Sequence, residues 1–323
     1  TSQSMSENTE NKIPVGISAC LLGDEVRYNG GHKRHSYIQQ TLGQYFEFRR
    51  FCPEVDIGLG IPRRPIRIVR EGDDITVVDP QDESETDFAP ALAATADDQA
   101  DWLQHMSGYI LKKDSPSCGM ERVKVYSGGM PERSGTGAFA ARVMELFPEL
   151  PLEEEGRLGD SVLRENFIQR VYVYDRWKRL VASGLTLNKL IDFHARHKLI
   201  LLSHCQKTYR KLGPQLAQVK KNEVEEFAKG YIYDLMLALK KPASRGDHVN
   251  VLQHVQGYLK DDLTADDKAE LKELIARYQD GTVPLIVPIT LLNHYFRKFP
   301  DDYIANSWYM HPYPAEMALQ NSI

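Results

Sequence analysis

Two periodicities divide the chain. In its first half, short apolar runs are separated by polar loops rich in glycine and proline; in its second half, apolar residues recur at steps of three and four. The first pattern predicts a central strand over 13–20, a short helix over 36–42 and a second strand over 46–51. Alternation on both sides of Glu71-Gly72-Asp73, over 66–70 and 74–78, predicts a β-hairpin. A helix over 87–106, started or interrupted at Pro90, leads to a strand over 108–112. Residues 135–147 open with glycines and become a helix, and a last edge strand begins within 148–152. Helices are predicted over 160–183, 186–206, 208–220, 222–239, 248–258, 264–280 and 288–299, with corners at Gly184, Gly213-Pro214, 241–246, Gly281 and Pro284. The expected architecture is an α/β N-terminal domain (12–158), a mostly parallel sheet with flanking helices. An all-α helical bundle (159–323) follows it, joined by short connections.

At 323 residues the chain exceeds what one core usually organises. Its 42% hydrophobic and 26% charged residues are those of an ordinary globular protein, apart from a first dozen residues expected to be disordered. Thr1–Ser4 read as residues added ahead of a natural start at Met5. No eighteen-residue apolar run and no signal-peptide core occur, so no membrane partner is expected. Four cysteines in so long a chain make no disulfide framework, and a reducing cytoplasm is the expected compartment. The net charge of −5 gives the whole molecule no pull on a phosphate backbone, although a local basic face is compatible with it.

Cys20, Cys52 and Cys118 each follow a predicted strand and precede a turn-forming or polar loop. In an open parallel sheet, loops beyond the carboxyl ends of the strands meet in one crevice, so three thiols so placed suggest one site. There is no Cys-x-x-Cys pair in the chain, which argues against a zinc ribbon or a two-cluster ferredoxin run. Iron-sulfur clusters usually take four thiolates, and three would leave one iron open to a substrate atom. The plainer alternative is that each cysteine is a small buried hydrophobe. Pro53 stiffens the loop that carries Glu54. Gly30 and Gly31, in the polar loop 23–35, permit close approach of backbone to a ligand or simply a surface turn. Ser115 and Ser117 flank a proline beside Cys118, and ligand contact is favoured there over a mere turn. Thr136 and Gly137, at the start of a helix, are candidate base-binding positions. Arg63, Arg64, Arg67 and Arg70 read first as solvated cations.

The runs Ser18-Ala-Cys20-Leu-Leu-Gly23, Val26-Arg-Tyr-Asn29-Gly30, Cys52-Pro-Glu54-Val, Gly60-Ile-Pro-Arg63-Arg-Pro65 and Lys112-Lys-Asp-Ser-Pro-Ser-Cys118-Gly resemble, in order, the motif set of the 2-thiouracil desulfidase family. The resemblance implies a 4Fe-4S cluster held by Cys20, Cys52 and Cys118, whose fourth iron receives the sulfur of a thiolated base. It also implies catalytic roles for Glu54 and Ser115. Substrate-binding roles are expected of Ser117, Asn29, Gly30, Thr136 and Gly137. Asn29 stands where the family commonly has Asp, so a proton-transfer role there is in doubt. The expected activity is a non-redox desulfidase giving uracil and sulfide. Its partners would be a thiolated nucleobase, nucleoside or tRNA and an acceptor for the sulfide or sulfur.

The second half resembles a YbgA-like helical domain of unknown function, through Phe193-His194-Ala-Arg196-His197-Lys198, Tyr209-Arg-Lys-Leu-Gly213, Gly281-Thr-Val-Pro284-Leu-Ile-Val-Pro288, Leu291-Leu-Asn-His294 and Pro312-Tyr-Pro314. His194, His197, His204 and Cys205 share one helix face. A zinc site there would need a further ligand such as His254 or His294, and buried, hydrogen-bonded histidines are the favoured reading. Cys205 reads as a core thiol. Two other functions stay in view. One is sulfur transfer to a nucleotide or tRNA base, which the absence of a Walker run disfavours. The other is an iron-sulfur redox sensor whose helical half binds nucleic acid through stretches such as 207–211 and 220–221.

Overall fold

The computed structural model describes residues 12–317 and 319–321; the first eleven residues, expected to be disordered, lie outside the described ones. The chain forms two compact units, 1–159 and 160–323. Among the described residues no helix is long and apolar enough to cross a membrane.

In the first unit β1 (Ile13–Ser18), α1 (Ser36–Gln40), β2 (Phe46–Phe51), α2 (Pro53–Asp56), β3 (Arg67–Glu71) and β4 (Asp74–Val78) follow one another. They lead into α3 (Ala89–Asp98), α4 (Ala100–Leu103), β5 (Gly108–Leu111), β6 (Val123–Tyr126), β7 (Glu132–Gly135), α5 (Ala138–Leu146) and β8 (Leu152–Glu154). The first sheet has the order β2-β1-β5-β8 and is parallel throughout. Its interior strands are apolar on both faces: Val15, Ile17, Tyr109, Ile110 and Leu111 are fully buried, as both faces of a parallel sheet require. From β1 the chain moves one way to β2 and then the other way to β5. That reversal makes the carboxyl ends of these three strands a topological switch point.

A second sheet, β4-β3-β6-β7, was not expected. The hairpin was, but β6 pairs with it in parallel and with β7 in antiparallel, through a bulge at Val123 and Lys124. β7 gave no apolar signal because it is exposed or half-buried along its length. Ile66, Ile68, Val77, Val123 and Val125 of this sheet pack with Leu92 of α3. The strand predicted to reach Cys20 ends at Ser18, and Cys20 lies in a single 3-10 turn over 19–22.

The second unit contains α6 (Ser161–Ala182), α7 (Leu187–His204), α8 (Gln206–Ala217), α9 (Val224–Leu239), α10 (Arg245–Gly257), α11 (Ala265–Gln279), α12 (Ile286–Lys298) and the unforeseen single turn α13 (Asp302–Asn306). The starts of α6, α7, α10, α11 and α13 are capped by side chains that accept otherwise orphaned amides: Asp160, Thr186, Ser244, Thr264 and Asp301. Each such cap contributes about 1 kcal/mol. Trp177, Phe193 and Tyr231 pack edge to face and tilted at 5.2 and 5.7 Å in the core. The corner predicted at Gly213-Pro214 does not occur, since α8 runs through both residues.

Four histidines of this unit are hydrogen-bonded, His194 and His197 buried and His204 and His248 half-buried. His194 Nδ1 lies 2.9 Å from the Tyr231 hydroxyl, His204 Nε2 2.9 Å from Asn166 Oδ1, and His248 Nδ1 2.8 Å from the Tyr309 hydroxyl. His197 Nδ1 lies 2.8 Å from the Phe193 carbonyl. His254 and His294 are exposed, and among the described residues no three His, Cys, Asp or Glu side chains could hold a single metal ion. Burial pushes His194, His204 and His248 down to about 4. The folded unit keeps them neutral while the unfolded chain takes up protons below about 6.5, so their contribution is full above that pH and is lost as pH falls towards 4. Urea unfolding followed by far-UV circular dichroism should lose roughly 1–3 kcal/mol per histidine between pH 7 and 4.5. His248→Gln, which keeps a partner for Tyr309, should flatten that loss; an unchanged pH profile would contradict neutral burial.

Candidate functional site

A cavity of about 700 Å³ opens at the switch point of the first unit. Cys20, Cys52 and Cys118 all line it. Each arrives by a different device. Cys20 sits in the 3-10 turn after β1. Cys52 is the residue before α2, held extended where Pro53 opens the helix. Cys118 ends the loop 112–118 after β5, whose first amide, from Lys112, donates to Ser18 Oγ at 3.0 Å.

That loop is fastened from behind by α5. Gly137 N donates to the Gly119 carbonyl at 2.7 Å, Ala138 N to that of Pro116 at 3.1 Å and Phe139 N to that of Ser117 at 3.0 Å. A Cβ on Gly137 would stand 2.5 Å from the Ser117 backbone, so only glycine lets the helix approach this closely. Thr136 and Gly137, expected to bind the base, are not among the residues that line the cavity, and the amides at this helix start serve the cysteine loop. Asn29 and Gly30 are likewise not among the lining residues. Asn29 is exposed, and its side chain accepts the Gly31 amide at 2.9 Å within its own loop. Val26, Arg27 and Tyr28 of that loop do reach the cavity.

Glu54 and both serines line the cavity and form one chain of hydrogen bonds. Ser117 Oγ donates to Glu54 Oε2 at 2.7 Å and lies 2.9 Å from Ser115 Oγ. Ser115 Oγ already accepts the amides of Cys118 at 3.0 Å and Ser117 at 3.3 Å, so its own proton goes to Ser117. Arg63 Nε holds Glu54 Oε1 at 3.2 Å, and its side chain is only 7% exposed. Arg63 is thus a site residue that the sequence reading had classed as solvated. One more was missed. Glu155 accepts the Lys113 amide at 2.9 Å and pairs with Lys112 Nζ at 3.1 Å, bracing the cysteine loop from the end of β8. The acidic run at 153–155 had registered only as a domain boundary.

The donor set suits a cluster better than one ion. Three cysteine thiols carried by three different strand exits line one cavity, a donor chemistry that fits iron-sulfur ligation. Burial pushes the Cys20 thiol up to about 11, with Lys112 opposing and Cys52 adding to the shift. Cys118 is raised further, by burial and then by Cys52, while Cys52 is raised by burial against the amides of Val55 and Glu54. Burial disfavours the ionised form of all three thiols, so a metal that took them as thiolates would have to supply the compensating charge.

Residues 15–155 match the 2-thiouracil desulfurase family, and residues 198–314 match a family of unknown function, DUF1722. Escherichia coli (strain K12) YbgA, itself uncharacterised, is 34% identical over 167 residues, which are 51% of this chain and 96% of YbgA. Bacillus subtilis (strain 168) YbbK, also uncharacterised, is 31% identical over 128 residues, 38% of this chain and 82% of YbbK. The chain belongs to the 2-thiouracil desulfurase family in its first half and to the DUF1722 family in its second. A solved structure of a [4Fe-4S]-dependent thiouracil desulfidase, TudS, is 32% identical, covering 46% of this chain and 95% of that one, with a TM-score of 0.37.

Outside this site, burial alone would raise the Cys205 thiol, but Thr208 Oγ1 at 3.3 Å, the amides of Thr208 and Lys207 and the Lys207 charge outweigh it. Since the thiolate is the nucleophile, iodoacetamide at pH 8 should label Cys205 in metal-free protein well before Cys20 or Cys118. Peptide mass spectrometry reads the order; early labelling of Cys118 would show that its burial is not real.

Proposed function

We propose that the first unit is a 4Fe-4S-dependent, non-redox desulfidase that converts a thiolated pyrimidine of the 2-thiouracil type and water into uracil and sulfide. The observation that carries this reading is the meeting of Cys20, Cys52, Cys118 and Glu54 in one cavity. The three thiolates would hold the cluster. When bound in that way it supplies one iron without a protein ligand, a Lewis acid for the C=S bond.

The chain's own groups account for the rest. Glu54 takes the proton of the water that adds to the thione carbon, each of its oxygens keeping a free acceptor position beside Arg63 or Ser117. Arg63 and Ser117 fix the carboxylate, so the base does not have to be oriented at each turnover. Ser115 positions Ser117 and, through its two amide bonds, the loop that ends in Cys118. The proton taken by Glu54 returns to the departing sulfur, which leaves as hydrosulfide, and the added hydroxyl gives its remaining proton to Glu54 and on to solvent as the ring carbon becomes a carbonyl. No electron is gained or lost overall.

Arg27, Lys33, Arg34 and Lys113 also line the cavity, so its rim accommodates a thiolated nucleoside or tRNA base as well as the free base. Four free thiols fit work in a reducing cytoplasm. A sensor that binds nucleic acid through the helical half gains little support, because Lys211 is already paired with Asp234 at 2.9 Å.

Anaerobically reconstituted protein should bleach the thione absorbance of 2-thiouracil and release one sulfide per uracil. Cys118→Ala should lose both the cluster spectrum and turnover. Glu54→Ala should keep the spectrum and lose about 100-fold or more in kcat. Full activity in Cys118→Ala would end the cluster mechanism, and normal turnover in Glu54→Ala would remove that residue from it.

A further inference from the structure

The helical unit has a second cavity, a slot of about 630 Å³ between α7 and α8, within the size range of small-molecule sites. On α7 it is lined by Ile191, His194, Ala195 and Lys198, which share one face at steps of three and four. Opposite them α8 contributes Tyr209, Arg210, Gly213, Pro214, Leu216 and Ala217, of which Gly213, Pro214 and Ala217 are too small to close the gap. A Cβ on Gly213 would still lie 3.8 Å from His194 Nε2.

The two helices meet at Cys205, and counting outward from that hinge orders the slot. Lys198 and Arg210 come first, His194 and Gly213 next, and Ile191 and Ala217 last. One end is therefore cationic and the other apolar, about 10 Å apart at 1.5 Å per helical residue. No carboxylate lines the slot. Among the described residues neither cation has an ion-pair partner: the Lys198 ammonium lies 4.7 Å from the centre of the Tyr303 ring, and Arg210 has a 3.4 Å contact with Gln206. Tyr303 beneath Lys198 keeps its own hydroxyl buried without a hydrogen bond.

His194 lies between the two ends and is 8% exposed. Its Nδ1 faces the Tyr231 hydroxyl, and its Nε2 has no hydrogen-bond partner among the described residues. A buried phenol with a single partner satisfies its proton by donating to it. The imidazole proton is then on Nε2, directed into the slot. Burial keeps the ring neutral at physiological pH, so it acts as a donor and not as a third charge.

We propose that this slot binds a small organic carboxylate with an unbranched or flat apolar body. The carboxylate sits between Lys198 and Arg210 with the His194 N–H in reach, and the body runs past Ala195, Pro214 and Leu216 towards Ile191. Two unpaired cations over an apolar floor reject both a cation and a purely polar anion. The proposal concerns the helical unit alone and stands whether or not the first unit is a desulfidase.

Saturation-transfer NMR and calorimetry on the full chain, with hexanoate and hexan-1-ol as probes at pH 7.5, test it. Hexanoate should bind at least about tenfold more tightly than the alcohol, a difference of roughly 1.4 kcal/mol. The double variant Lys198→Met/Arg210→Gln should erase that preference without changing alcohol binding. Gly213→Leu should block both probes. As it could disturb helix packing, the exposed Ala217→Glu serves beside it and should weaken hexanoate more than the alcohol. Equal binding of the two probes, no binding below about 10 mM, or a preference that survives loss of both cations would overturn the proposal.

Discussion

Three thiols, unfavourable as neighbours once ionised, are brought to the carboxyl ends of adjoining parallel strands by a backbone that leaves them no other place. Lys112 N on Ser18 Oγ ties β5 to the end of β1, and the α5 amides hold the loop carbonyls on either side of Cys118. Most of that holding is done by main-chain groups, which cannot swing away as side chains do. A cluster site needs this rigidity, because its ligands must be placed before the metal arrives.

The same economy governs Glu54. A carboxylate beside three thiolates would be repelled by them, and the structure answers with Arg63, a guanidinium almost wholly buried on one side, and with the Ser117 hydroxyl on the other. Removing either would leave a partly buried charge under-satisfied, which typically costs more than the bond itself contributes. Lys112 and Glu155 form a second such pair on the opposite wall. The cavity is polar, yet its charges near the thiols are paired off, and those left unpaired stand at its rim.

How much of this was legible in the sequence depends on where each signal comes from. β1 and β5 announced themselves as apolar runs because both faces of an interior parallel strand are buried, and the edge strand β2 showed through its alternating phenylalanines Phe46 and Phe48. The switch point followed from them, and with it the convergence of residues separated by up to ninety-eight positions. β6 and β7 stayed hidden, since a four-residue strand and an exposed edge carry almost no periodicity. At Thr136 and Gly137 the helix N-terminus offers its amides to what lies nearest, which is the protein's own loop. Asn29 accepts an amide within its own turn, as Asx side chains readily do. Arg63 and Glu155 could have been found by asking which charge would balance Glu54 and Lys112.

Pro214 shows the limit of local rules in the second unit. Its ring should have ended α8, yet the helix continues through Ala217 because Leu212 and Leu216 on either side are buried and hold the turn in place. A helix that carries Gly213 and Pro214 without breaking has accepted a loss of intrinsic stability at the very level where it faces His194. Ordinary packing between two helices would favour larger apolar side chains at those positions, filling the space with Leu or Ile. Small residues, an unpartnered imidazole nitrogen and two unpaired cations instead keep the space open and give it a polarity from end to end. That combination is costly for a scaffold and is accounted for by a ligand that completes it.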